Sequence, residues 1–203
     1  MTDTENLLDP SGAVALKEWD AQVAALLEGR TVVLVRKGGI FEQREGFQVQ
    51  RGQFWLYPTF LHQNAAELRL KYQSALRPDP TPGEVALNAY ATVAGVLKLE
   101  DLQATRALED VQALNAGSLE RRFHYRNRPV LHALLLRVYR AAPRTVVETP
   151  AIRGCVSWID LEPAVPVTDA RAVLSDAQFT AERAKLEALF GEFSGHPSSS
   201  LNG

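Results

Sequence analysis

The run Thr31-Val32-Val33-Leu34-Val35 passes directly into Arg36-Lys37-Gly38-Gly39-Ile40, and this junction constrains the fold more than any other stretch. Unbroken β-branched and apolar residues read as a buried strand. Paired glycines permit the positive φ of a tight turn. A strand ending in two cations and two glycines offers positive charge and free backbone N–H groups at a sheet edge, a general anion-binding arrangement.

The rest of the chain supplies partners for that strand. Ser11-Gly12 opens a stretch in which Val14, Trp19, Val23, Leu26 and Leu27 recur near helical spacing, with Gly29 as the stop. Phe47-Gln48-Val49 and Phe54-Trp55-Leu56-Tyr57 read as strands, the second ended by Pro58, and Leu61 to Tyr72 reads as a helix. Three prolines make Leu76 to Gly83 a loop. Glu84 to Leu99 reads as a long strand, Glu100 to Leu114 as a helix, and Ser118 as the cap of a short helix carrying Leu119 and Phe123. Val130 to Tyr139, Thr145 to Val147 and Cys155 to Ile159 read as strands, and Ser175 with Gln178 forms a capping box for the last helix. Short connections favour antiparallel pairing. The expected fold is α+β, a curved, mainly antiparallel sheet or small β-barrel flanked by helices. A single domain is expected over 11–193, with a helical insertion at about 61–125 and a C-terminal helix at about 176–191. Disordered ends are expected at 1–10 and 194–203.

An apolar fraction of 46% is that of an ordinary globular protein, and no apolar run approaches the roughly 20 residues that span a bilayer. The acidic start and single cysteine argue against a secretory signal or an internal disulfide, so a cytoplasmic location is expected. The net charge of −2 conceals a segregation. Residues 36–77 balance to +4 and 121–153 to +7, while 1–30, 78–120 and 159–203 come to −4, −5 and −4. If the two basic blocks meet in space, they make one positive face on an acidic protein.

Nucleotide-loop and nucleophile-elbow signatures are missing, and His62, His124, His132 and His196 never pair at metal-binding spacing. No metal or cofactor is expected. Thr59, His62 and Gln63 cluster at a strand-to-helix junction, where Thr59 could cap and His62 could act as acid, base or hydrogen-bond partner; satisfying buried backbone is the simpler role for His62 and Gln63. Arg137 and Tyr139 alternate on one strand face, with Arg140 opposite. A buried Arg137 needs a carboxylate or a bound anion, with Glu42, Glu18 and Asp160 as internal candidates. Trp19, Trp55 and Trp158 read first as core residues, with Trp55 the best candidate among them for a ligand platform instead. Cys155 reads as a small buried hydrophobe.

Ala15-Leu16-Lys17-Glu18-Trp19, Leu34 to Ile40, Phe54 to Thr59 with His62-Gln63, Leu136 to Arg140 and Gly154 to Trp158 occur in an order that resembles a bacterial family, domain of unknown function 1802. No activity is established for that family. Some members carry a restriction-endonuclease-like domain, so the resemblance implies a role near DNA, in restriction–modification or defence, with any nuclease supplied here by a separate protein. The opening segment with Leu27 to Thr31 is also similar to PUA- and ASCH-like small barrels, which implies recognition of RNA, modified bases or nucleosides.

The leading expectation is therefore a module that binds nucleic acid or a nucleotide anion. Its expected ligand-binding residues are Arg36, Lys37, Gly38, Gly39, Tyr57, Thr59, His62, Gln63, Arg137, Tyr139, Arg140 and Trp158. The alternative is a hydrolase of a nucleoside-like substrate, with Lys37, Thr59 and His62 converging as the catalytic group. A structural partner protein, docking through the apolar side of the last helix, is the third reading.

Overall fold

Successive residues of the central strands go to opposite faces of the sheet, and both faces are apolar. Val33 and Val35 enter one core cluster and Leu34 another; Ala133 and Leu135 separate from Leu134 and Leu136 in the same way. Phe54 and Leu56 likewise part from Trp55 and Tyr57. Doubly buried strands lose the polar alternation of half-exposed ones, which is why these segments read as continuous apolar runs.

The computed structural model describes Leu8 and residues 11–37, 52–154 and 156–194. Gly38, Gly39, the strand expected at 47–49, Cys155, His196 and most of both termini lie outside these residues. Seven strands are described: β1 (Val14–Trp19), β2 (Val33–Arg36), β3 (Gln53–Thr59), β4 (Glu84–Leu99), β5 (Leu131–Val147), β6 (Trp158–Asp160) and β7 (Arg171–Ala172). The helices are α1 (Asp20–Leu27), α2 (Leu70–Gln73), α3 (Leu102–Ala107), α4 (Ala116–His124) and α5 (Asp176–Phe190). The strands form one open sheet in the order β2-β5-β4-β3-β1-β6, with β7 added beside β5. Every pairing is antiparallel except β1 with β3. The expected α+β fold with a mainly antiparallel sheet is thus the one found, without closure into a barrel.

Two irregularities in the β4–β5 ladder, at Leu87/Ala89 and Val93/Gly95, bend its long strands. At the second, Gly95 lies against Phe193, where an added Cβ would come within 2.7 Å of that residue's Cβ. Ser175 and Gln178 make the expected capping box on α5, and Gly29 stops α1 at φ 66.

Several expected elements differ. Val14–Trp19 is a strand, held between β3 and β6, so the opening helix starts only at Asp20. Pro58 lies inside β3, because β4 pairs with β3 only as far as Trp55 and the missing N–H is not needed there. Leu61 to Tyr72 is mostly turn, with a 3₁₀ segment at Ala65–Glu67 and the short α2; Leu61 is 74% exposed. Glu100 to Leu114 is helical only at α3 and in a 3₁₀ turn, Leu108–Val111. Asn115, rather than Ser118, caps α4. Thr145-Val146-Val147 continues β5, with Pro143 falling at the first irregularity of the ladder. The stretch 61–125 contains β4, an interior strand, so the helices there flank the sheet on both sides of it in sequence.

Candidate functional site

The parallel pair β1–β3 sets Lys17 beside Tyr57, Glu18 beside Pro58 and Trp19 beside Thr59. Beyond Thr59 the chain leaves the sheet through Phe60, Leu61 and His62, the last with φ 62. These residues, the proline loop, Glu148, Arg153 and Gly154, and Val156 and Ser157 line a half-open cleft of about 810 Å³. Lys17, Arg36, Arg122 and Arg153 bring cations to it, Glu18, Asp79 and Glu148 bring carboxylates, and Trp19 and Phe60 bring rings.

The walls are held by polar ties. Arg77 grips the buried Asp20 carboxylate at 2.8 and 2.9 Å and lies 5.4 Å from the Phe60 ring centroid, fixing the proline loop against α1. The Lys17 ammonium donates to the Ile152 carbonyl and, at 3.2 Å, to that of Gly154, tying the 152–154 segment to β1. It also stands 5.6 Å from the Tyr57 ring centroid.

Charges in the cleft are neutralised unequally. Arg36 donates to the Glu18 carboxylate at 2.7 Å, and both side chains are nearly inaccessible, at 13% and 5% exposure. Glu18 also accepts from Gln22 at 2.6 Å and from the Trp19 backbone at 2.9 Å, which makes it the hub of the junction. By contrast, Arg122 reaches Glu67 only at 3.8 Å and Arg153 reaches Glu148 only at 3.8 Å. Those two guanidinium groups retain donor capacity toward the cleft.

Tyr57 donates to Glu148 at 2.9 Å. Burial, and then that carboxylate, push its phenol well above the ordinary value of 10.0; burial also raises Tyr72. Above about pH 10 an unfolded chain releases these protons while the folded chain retains them, so stability falls as pH rises through that range. In a spectrophotometric titration, Tyr57 and Tyr72 should stay protonated until alkaline unfolding, and Tyr57→Phe should lessen the alkaline loss of stability. Ionisation of both phenols near the ordinary value in the folded protein would contradict the assignment.

The structure divides the expected site residues. Arg36, Thr59 and His62 line the cleft, and Tyr57 touches it through Glu148. Gln63 instead accepts from the Ala21 backbone at 3.0 Å, satisfying an otherwise unpaired N–H at the start of α1. Lys37 points elsewhere: its ammonium donates to the carbonyls of Phe123 at 2.7 Å, Arg128, and Val130 at 3.2 Å, and burial lowers its pKa. The expected trio of Lys37, Thr59 and His62 therefore does not converge.

The expected arginine face does not form either. β2 and β5 are neighbours, but Arg36 sits opposite His132, five residues before Arg137 along β5. That separation is about 17 Å at strand rise. Arg137 donates to Asp176 at 2.6 Å and to the Ser175 carbonyl at 3.1 Å, so its partner is none of the acids expected. Arg140 donates to the Leu27 carbonyl at 2.8 Å. Tyr139 and Trp55 are buried in the core, Trp55 donating to the Val165 carbonyl at 2.9 Å, and Trp158 meets Phe54 edge to face with centroids 5.0 Å apart.

Lys17, Trp19, Arg122, Glu148 and Arg153 are the cleft residues that sequence reasoning misses. A signal existed for Lys17, which interrupts an otherwise apolar run beside Glu18. Nothing in the linear sequence brings Arg122 or Arg153 to it. Among the described residues, no cluster of three or more His, Cys, Asp or Glu could hold a metal, and no helix is long and apolar enough to cross a membrane.

No curated protein matches the chain in sequence. Among solved structures, it is similar to the crystal structure of ASCH from Zymomonas mobilis, at 14% identity and a TM-score of 0.39 over 87% of this chain and 96% of that one. A point mutant of the same protein gives 15% identity and a TM-score of 0.40 over 88% and 99%. Likeness at this level transfers neither residue roles nor activity. The family model described as domain of unknown function (DUF1802) matches residues 15–185, and the chain belongs to that family.

Proposed function

We propose that the protein binds nucleic acid or a nucleotide-like anion in the cleft at the end of β1 and β3. The observation that carries this reading is the meeting of Lys17, Arg122 and Arg153 with the Trp19 and Phe60 rings in one concavity of about 810 Å³. Cationic heads hold phosphate, rings hold bases, and the two together are the chemistry of nucleic-acid surfaces. The volume lies within the usual range for ligand sites, about 300–1,000 Å³. Arg36 contributes shape more than charge, since Glu18 neutralises it.

The association with restriction or defence implied by the family would put this cleft on DNA; RNA is the competing ligand. Fluorescence anisotropy with labelled DNA and RNA oligomers tests both. With two or three phosphates neutralised, affinity should fall about tenfold between roughly 50 and 200 mM salt. Undetectable binding to either polymer, or binding indifferent to salt, would contradict the reading.

A further inference from the structure

Resting on that reading, we infer that the cleft accepts an unpaired base against the Trp19–Arg122 pair, so that its ligand class is single-stranded nucleic acid. Trp19 differs from the other two tryptophans. Its ring packs partly on the core cluster that holds Leu119 and Phe123 of α4, and it also lines the cleft. Its backbone is fixed on both sides, by the Glu18 carboxylate at 2.9 Å and by parallel register with Thr59. A ring so held is a rigid platform.

The Arg122 guanidinium stands 5.4 Å from the Trp19 ring centroid, with its Glu67 partner at 3.8 Å. Guanidinium planes and indole rings both stack on bases, and a weakly tied arginine can rest on a base as readily as on the ring. Lys17 lies two residues back along β1, about 7 Å away at strand rise. Together with Arg153 it provides positive charge on the phosphate side of a nucleotide whose base lies on Trp19. The rings decide the strandedness. Trp19 and Phe60 line a half-open cleft, and only a base splayed out of its stack can lie on such a ring, whereas a duplex keeps its bases paired and stacked.

The test compares three probes by anisotropy: a single-stranded dodecamer, an abasic dodecamer of equal charge, and a blunt duplex. Intrinsic tryptophan fluorescence is followed in parallel. The single strand should bind about tenfold more tightly than the abasic strand or the duplex and should quench Trp19 emission. Trp19→Ala should remove that difference while leaving the weaker salt-dependent binding. Trp19→Phe and Arg122→Ala, which disturb the core less, should each reduce it in part. Equal binding of normal and abasic strands overturns stacking but leaves the proposed anion site intact. Tighter binding of the duplex overturns the single-strand assignment. Failure of all three probes to bind overturns this inference and the proposed function together.

Discussion

Glu18→Ala should cost about 3–5 kcal/mol of folding stability, the range for removing one partner of a buried ion pair. The carboxylate is 5% exposed and the Arg36 side chain beside it 13%, and without Glu18 the guanidinium keeps only the Lys17 carbonyl, at 3.2 Å, among the described residues. Loss of the carboxylate strands the guanidinium and frees the Gln22 amide and the Trp19 N–H at once. Against a typical total of about 5–15 kcal/mol, that is a large fraction. Glu18→Gln keeps the shape but not the charge and should fall between. A double replacement, Glu18→Leu with Arg36→Met, should recover most of the loss, because an apolar pair needs no desolvation. Denaturant midpoints at unchanged slope measure all three. A wild-type midpoint for Glu18→Ala would show that the hub does not hold the junction.

The largest expected effect on binding belongs to Arg122→Glu combined with Arg153→Glu. Two cations with donor capacity toward the cleft become two repelling anions, and oligomer affinity should drop about a hundredfold, equivalent to about 2.8 kcal/mol. Both positions sit at loosely paired, partly exposed guanidinium groups, so stability should move little. Arg140→Ala, midway along β5 and tied to the Leu27 carbonyl, and Arg106→Ala, in an exposed pair with Glu120, should leave affinity within about twofold. A comparable loss from Arg140→Ala would return the site to the β5 arginines.

What is legible in the sequence follows from which physics is local. Val130 to Tyr139 declares itself because both of its faces are buried, and Glu84 to Leu99 because buried Val85, Leu87 and Ala89 alternate with more exposed neighbours, so local composition marks each as a strand. The capping box at Ser175 is equally local. Val14–Trp19 is not legible as a strand, since its apolar residues also suit a helix and pairing with the distant β3 and β6 decides the matter. The charge pattern misleads for a related reason. Segment totals show that Arg36 and Arg137 are cationic but not that Glu18 and Asp176 fold back onto them. The cleft is assembled from positions more than a hundred residues apart, with Lys17 held by Ile152 and Gly154, and no linear spacing encodes that contact.

Where the ligand sits is the claim on which the rest depends. Photo-crosslinking a thiouridine- or thiothymidine-bearing oligomer, followed by mass spectrometry of the adducts, locates it directly. Adducts should fall on Lys17, Trp19 and the 57–62 and 148–154 peptides, and should fade with added salt. Adducts confined to Arg137–Arg140 or to α5, with the cleft peptides unmodified, would contradict the account.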